Sequence, residues 1–173
     1  MAWRDLGVNR FSIGLQTLNP EIFPLMDRSH SLEQAHQLLE MMQRHHLNFS
    51  VDFMLGLPDS KQLNRNIKQE LETILRYGPK HLSLYFLTVG ENYRHYKKLP
   101  HYEWTTDEFM QVDQLLVSSG FNHYEVASFA LPGFESKHNQ QYWNHQSVAA
   151  LGPSATGFLA QENSALRYRW SSD

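Results

Sequence analysis

The sequence predicts an α/β fold built on parallel strands, and three observations carry that prediction. Residues 48–58, NFSVDFMLGLP, form a nearly continuous apolar run closed by Gly56 and Pro58, which is the pattern of a buried parallel strand. Two further strand-like runs, RFSIGLQ at 10–16 and HLSLYFLT at 81–88, flank it. Helical patterns separate the three, so strand, helix, strand, helix, strand at roughly 30 residues per unit reads as βαβ crossovers.

In the first strand Phe11, Ile13 and Leu15 share one face, and Ser12, Gly14 and Gln16 share the other. Asn19-Pro20 then reads as a helix start, with Asn19 as N-cap, and Pro24 keeps that helix short. The next helix opens with a capping box, Ser31 and Gln34, and carries Leu32, Ala35, Leu38, Leu39 and Met42 at helical spacing. In the central strand Val51, Phe53 and Leu55 oppose Ser50, Asp52 and Met54. Asp59 or Ser60 is expected to cap a helix whose apolar positions are Leu63, Ile67, Leu71, Ile74 and Leu75, ended by Gly78-Pro79. In the third strand Leu82, Leu84 and Phe86 oppose Ser83, Tyr85 and Leu87.

Residues 88–104 read as a loop rich in aromatic and charged groups. Thr105 and Glu108 suggest a second capping box, followed by Phe109, Val112, Leu115 and Leu116 and a stop at Gly120. FNHYEVASFA, 121–130, reads as one further strand, and LPGFESKHNQQYWNH as loop-like at first, then polar and aromatic. A Gly-Pro-Ser turn at 152–154 falls near the end.

Strands buried in a parallel sheet are normally apolar on both faces. Here Ser12/Gly14/Gln16, Ser50/Asp52 and Ser83/Tyr85 leave one face polar. A carboxylate in that position is costly without a partner. A barrel interior lined to hold a cofactor is one solution; small residues fitted to a tight interior are the other. Ligands at parallel sheets bind at the carboxyl ends of strands, where Gln16 and the loop bearing Arg28 and His30 fall.

Composition narrows the classes. The chain has 173 residues, 41% of them hydrophobic and 19% charged, with a net charge of −3. The pI is about 6.3 and the mean hydropathy −0.52. No apolar run approaches the about 18 residues of a membrane span, no secretory signal is visible in MAWRDLGVNR, and no basic block suggests nucleic acid. A cytoplasmic setting is expected. There is no cysteine, so the chain supplies no thiolate to a disulfide, zinc site or iron–sulfur cluster. Most of the 10 histidines read as solvated helix residues.

GVNRFSIGLQTLN, MDRSH, VDFMLGLP, HLSLYFLT, FNHYEVASFALPG, KHNQQYW and LGPSA stand in the order and spacing of the HemW proteins. The sequence resembles these radical SAM haem chaperones, relatives of the oxygen-independent coproporphyrinogen III oxidase HemN, over residues 5–158. The resemblance implies a parallel partial (β/α) barrel of the radical SAM type, with residues 1–100 in the barrel and 101–173 in a small α+β extension. It implies S-adenosylmethionine at Gln16, Arg28 and Asp52: the two acceptors for ribose hydroxyls or the amino group, the guanidinium for the carboxylate. The residues by themselves leave a second reading equally open, that Asp52 and Arg28 pair with each other in the barrel mouth.

HNxxYW, here His138, Asn139, Tyr142 and Trp143, is the motif that looks like HemW rather than the oxidase, and it implies haem, with His138 toward the iron. The plain alternative is that these residues only pack. The sequence departs from the family in lacking the CxxxCxxC loop of a [4Fe–4S] cluster and the glycine-rich S-adenosylmethionine loop, and in having Ser136 where a cysteine is often found. It is expected to be an incomplete barrel without its first strands, non-catalytic alone, and open at its first strand to the missing half or a second copy. Two other readings stay open: part of a coproporphyrinogen III oxidase, and an unrelated metal-dependent barrel using His123, Glu125 and His138.

Overall fold

The computed structural model describes residues 2–26 and 30–172. The helices are α1 (Ala2–Asp5), α2 (Leu32–Arg44), α3 (Ile67–Leu75), α4 (Tyr102–Ser118) and α5 (Lys137–Trp143). The strands are β1 (Phe11–Gln16), β2 (Phe49–Leu55), β3 (His81–Phe86), β4 (Asn122–Glu125), β5 (Ser128–Ala130), β6 (Thr156–Ala160) and β7 (Ala165–Arg169). Short 3₁₀ turns occupy Phe23–Met26 and Tyr96–Lys98. The chain divides into two compact units, Met1–Glu135 and Ser136–Asp173.

The first unit holds a five-stranded sheet in the order β1-β2-β3-β5-β4. β1, β2 and β3 run parallel, as the βαβ reading requires, with Ser12 beside Ser50 beside His81, and Gly14 beside Asp52 beside Ser83. Residues 121–130 are not one strand. They fold back at Val126, so that β5 lies antiparallel to β3 and β4 lies outside it. Glu125 Oε2 accepts from Ala127 N at 3.2 Å, a local bond that holds the turn. The sheet is therefore mixed.

The apolar face is buried as the alternation predicts. Val51, Phe53, Leu55, Leu82 and Leu84 are all 0% exposed. Ala35, Leu39 and Met42 from α2, Ile67, Leu71 and Ile74 from α3, and Val112 and Leu116 from α4 join them in one core. Both bonds of the Ser31–Gln34 capping box form, at 3.2 and 2.8 Å. Asn19 caps its turn by accepting from Glu21 N and Ile22 N. Phe86, expected on the apolar face, is largely exposed at the strand end.

Two helix starts differ from expectation for the same reason: a local cap lost to a bond elsewhere. Ser60 does not cap α3, its Oγ donating to Leu57 O at 2.7 Å, and neither does Asp59. It sits at φ 60 in a turn and pairs with Lys98 at 2.8 Å, and α3 begins later, with Asn66 accepting from Gln69 N. Leu63 is left outside the helix, at its surface. The Thr105–Glu108 capping box does not form either, because α4 starts at Tyr102 and the Glu108 carboxylate turns inward to Gly56 N at 2.9 Å.

In the second unit, Ser136 caps α5, its side chain accepting from Asn139 N, so the polar and aromatic residues 137–143, to which the sequence assigned no element, are helical. β6 and β7 pair antiparallel, and Val148 bridges to Phe158 on the free side of β6. A Cβ at Gly157 would overlap the ring of Tyr168 directly opposite, so glycine is what lets that ring lie across β6.

No helix among the described residues is long and apolar enough to cross a membrane. The displaced start of α3 is testable. Leu71→Ala should destabilise the chain by about 2–5 kcal/mol, whereas Leu63→Ala should change stability by less than about 0.5 kcal/mol, both read from urea midpoints.

Candidate functional site

The polar face of the parallel strands survives folding. Ser50 Oγ donates to Ser12 Oγ at 3.0 Å, and Ser12 Oγ donates to the Asp52 carboxylate at 3.3–3.4 Å. Asp52 is half-buried. Gln16 reaches the same face by an irregular route. The register slips between Gly14 and Gln16, Gln16 takes φ 70, and Thr17 N bonds back to Leu15 O at 2.9 Å, a rare and strained three-residue turn. The side chain thereby folds back over Gly14, where a Cβ would stand 3.2 Å from its Nε2. Gln16 is buried, and its Oε1 has no hydrogen-bond partner among the described residues. A buried acceptor without a donor beside an open polar face fits a ligand that donates. Arg28 lies outside the described residues.

What holds this strained turn is a buried ionic cluster that the sequence reading did not single out. Glu70 Oε2 accepts from Thr17 Oγ1 at 2.6 Å, Leu18 N at 2.6 Å and Asn19 N at 3.1 Å. Its Oε1 takes Arg65 Nε at 2.7 Å. Arg65, with a fully buried side chain, also donates to Met54 O at 2.9 Å, lies 3.5 Å from Glu108 Oε1 and covers the ring of Phe53. The loops after β1 and β2 are thus tied to α3 and α4 through two carboxylates and one guanidinium. Burial pushes the Glu108 carboxyl above its usual range, against the pull of Arg65 and the Gly56 N–H. The spacing held the signal: Glu70 falls within the stripe Ile67, Leu71, Ile74, and Glu108 within the stripe Val112, Leu116.

His81 is the second buried titratable group on the polar face. It is 1% exposed, its Nε2 is 2.7 Å from Tyr124 Oη, and its Nδ1 has no hydrogen-bond partner among the described residues. Burial, and then the Arg10 charge, lower its pKa to about 4. It shares its face with Ser83, so alternation extended by one step would have placed it there.

The second unit contains a cavity of about 600 Å³. Asn139, Tyr142 and Trp143 line one wall, at the i, i+3, i+4 spacing of one helix face. Phe158 and Arg167, directly opposite each other on β6 and β7, line the other. His145, at φ 55 just past α5, also faces the cavity. His138 does not line it; it is exposed, with its ring edge-on to Tyr142 at 5.0 Å. Sequence reasoning missed His145, Phe158 and Arg167, for which no motif supplied a signal.

The metal set of His123, Glu125 and His138 is not assembled. His123 pairs with Asp113 at 3.0 Å and stacks on Phe129, and Glu125 is used in its own turn. Among the described residues no group of three His, Cys, Asp or Glu is placed to hold a metal ion.

Glu70→Ala leaves Arg65 with one carboxylate fewer and should cost about 3–5 kcal/mol in urea unfolding. His81 binds its proton less tightly folded than unfolded, so its contribution is lost as pH falls from 6.5 to about 4, at no more than about 1.4 kcal/mol per pH unit. Glu108 works in the opposite direction over its own window, holding a proton more tightly in the fold. His81→Gln should flatten the acid-side loss, measured as urea midpoints across that range.

No family model matches the chain. It is 32% identical over 164 residues to "Heme chaperone HemW" of Buchnera aphidicola (subsp. Schizaphis graminum), covering 93% of this chain and 43% of that protein. It is 33% identical over 159 residues to the Escherichia coli protein of the same name, covering 90% and 42%. It is 36% identical over 169 residues to "Radical S-adenosyl methionine domain-containing protein 1, mitochondrial" of Bos taurus, covering 92% and 38%. A solved structure titled "Coproporphyrinogen III oxidase (HemN) from Escherichia coli is a Radical SAM enzyme" shares the fold at TM-score 0.68 and 19% identity, over 90% of this chain and 40% of that one. The chain spans about two fifths of the length of the relatives it matches, and it belongs with the HemW-like proteins.

Proposed function

We propose that the chain is the haem-handling part of a HemW-type radical SAM protein and is not catalytic by itself. The cavity of the second unit is the observation that carries the proposal. Its volume lies within the roughly 300–1,000 Å³ of small-molecule pockets. Tyr142, Trp143 and Phe158 offer flat apolar surface, and Asn139, Arg167 and His145 offer polar groups, which suits a planar macrocycle with an acidic edge. His138 belongs to the same proposal, since its ring abuts the wall through Tyr142.

In the first unit, Gln16 and Asp52 on the polar face, with Arg28, would hold S-adenosylmethionine. Gln16 Oε1, buried and without a hydrogen-bond partner among the described residues, would accept from a ribose hydroxyl or the amino group. The sheet is read as one side of a partial barrel, residues 1–100 forming that part and 101–173 the extension, with the edge of β1 taking a further strand from another segment or copy. The [4Fe–4S] cluster of radical SAM chemistry does not fit this stretch, because it contains no cysteine. A cytoplasmic setting belongs to the same reading.

The second reading is a part of a coproporphyrinogen III oxidase, favoured by the name of the solved structure of like fold. The two differ in cargo. Titrating haem into the chain should shift the Soret band, with the shift weakened in Trp143→Ala. Binding of coproporphyrinogen III but not of haem would transfer the assignment to the oxidase.

A further inference from the structure

Resting on that reading, we infer that the cavity presents the macrocycle with His145 as the iron-facing imidazole and Arg167 as the partner of its carboxylates, His138 serving to position Tyr142. His145 and Arg167 both line the cavity, whereas His138 does not. No hydrogen bond or ion pair to another described residue occupies the side chain of either. His145 is placed by its backbone. Its N–H bonds to Tyr142 O at 3.1 Å, closing the last turn of α5, and φ 55 turns the chain away from the helix line. A non-glycine residue in the left-handed region is uncommon, and here it sets His145 in the lining of the cavity beside Tyr142 and Trp143.

Arg167 is placed by register. It stands directly opposite Phe158 across the hairpin, and both line the cavity together with Thr156 and Gly157. A guanidinium beside an apolar ring surface is the usual recognition element for a carboxylate attached to a flat hydrophobic body, and a neutral imidazole is the commonest haem-iron ligand from protein. The two residues are 22 positions apart in sequence and come from separate elements, so no short motif contains them both. His138 lies one position before the cavity face of α5, and its edge contact with Tyr142 holds that ring against the slot.

The test uses the whole chain with two probes, haem and iron-free protoporphyrin IX. His145→Ala should move the Soret band of bound haem and weaken haem binding by on the order of tenfold, and leave the iron-free porphyrin bound as before. Arg167→Gln should weaken both probes by a similar order, and not the porphyrin dimethyl ester. His138→Ala should keep the wild-type band position. His145 and Arg167 are exposed at the cavity, so neither substitution removes core packing, and unchanged circular dichroism checks this. A wild-type spectrum in His145→Ala, or its loss in His138→Ala, overturns the inference while leaving haem binding intact. Failure of the unaltered chain to bind either probe overturns the haem reading itself.

Discussion

One buried carboxylate, Glu70, organises the loops on which the first unit depends. Three donors from Thr17, Leu18 and Asn19 converge on one of its oxygens, and Arg65 takes the other. Ions in a low-dielectric interior are costly, and their attraction offsets that cost only when geometry and further hydrogen bonds are complete. The cluster meets this condition at Glu70 and only in part at Glu108, whose Oε1 lies 3.5 Å from Arg65 and accepts no hydrogen bond among the described residues; backbone groups do much of it, Leu18 N, Asn19 N, Met54 O and Gly56 N all bonding to the cluster. Such a cluster adds little net stability over a well-packed apolar one, but it fixes where the loops go. The strained turn at Gln16 persists because the residues after it are held.

The consequence is a division of labour within one sheet. The face under α2, α3 and α4 is dry and close-packed. The opposite face keeps Ser12, Ser50, Asp52 and His81 in register across three strands, and the turn adds Gln16 to them. Groups of this kind are retained where a ligand or a further polar layer meets them. The second unit solves a different problem. A two-stranded hairpin is marginal alone, and here β6 gains a bridge from Val148, while Tyr168 lies over Gly157 and its hydroxyl accepts from Ala150 N. The aromatic cavity forms where α5 and the hairpin leave space between Trp143 and Phe158.

Local periodicity determined much of this by itself: the three parallel strands, the capping box at Ser31, the apolar faces and the polar row containing Asp52. Each is encoded within a few residues, because a strand or helix declares its own buried face by spacing 2 or about 3.6. The turn within 121–130, the late start of α3 and the early start of α4 were decided by the tertiary structure. In each case a side chain that could serve a local cap or strand is bonded otherwise: Glu125 to its own turn, Asp59 to Lys98, Glu108 to Gly56. The burial of Arg65 with Glu70, the recovery of Gln16 for the polar face and the meeting of His145 with Arg167 also depend on partners far along the chain, and spacing within one element carries no information about the element it will meet.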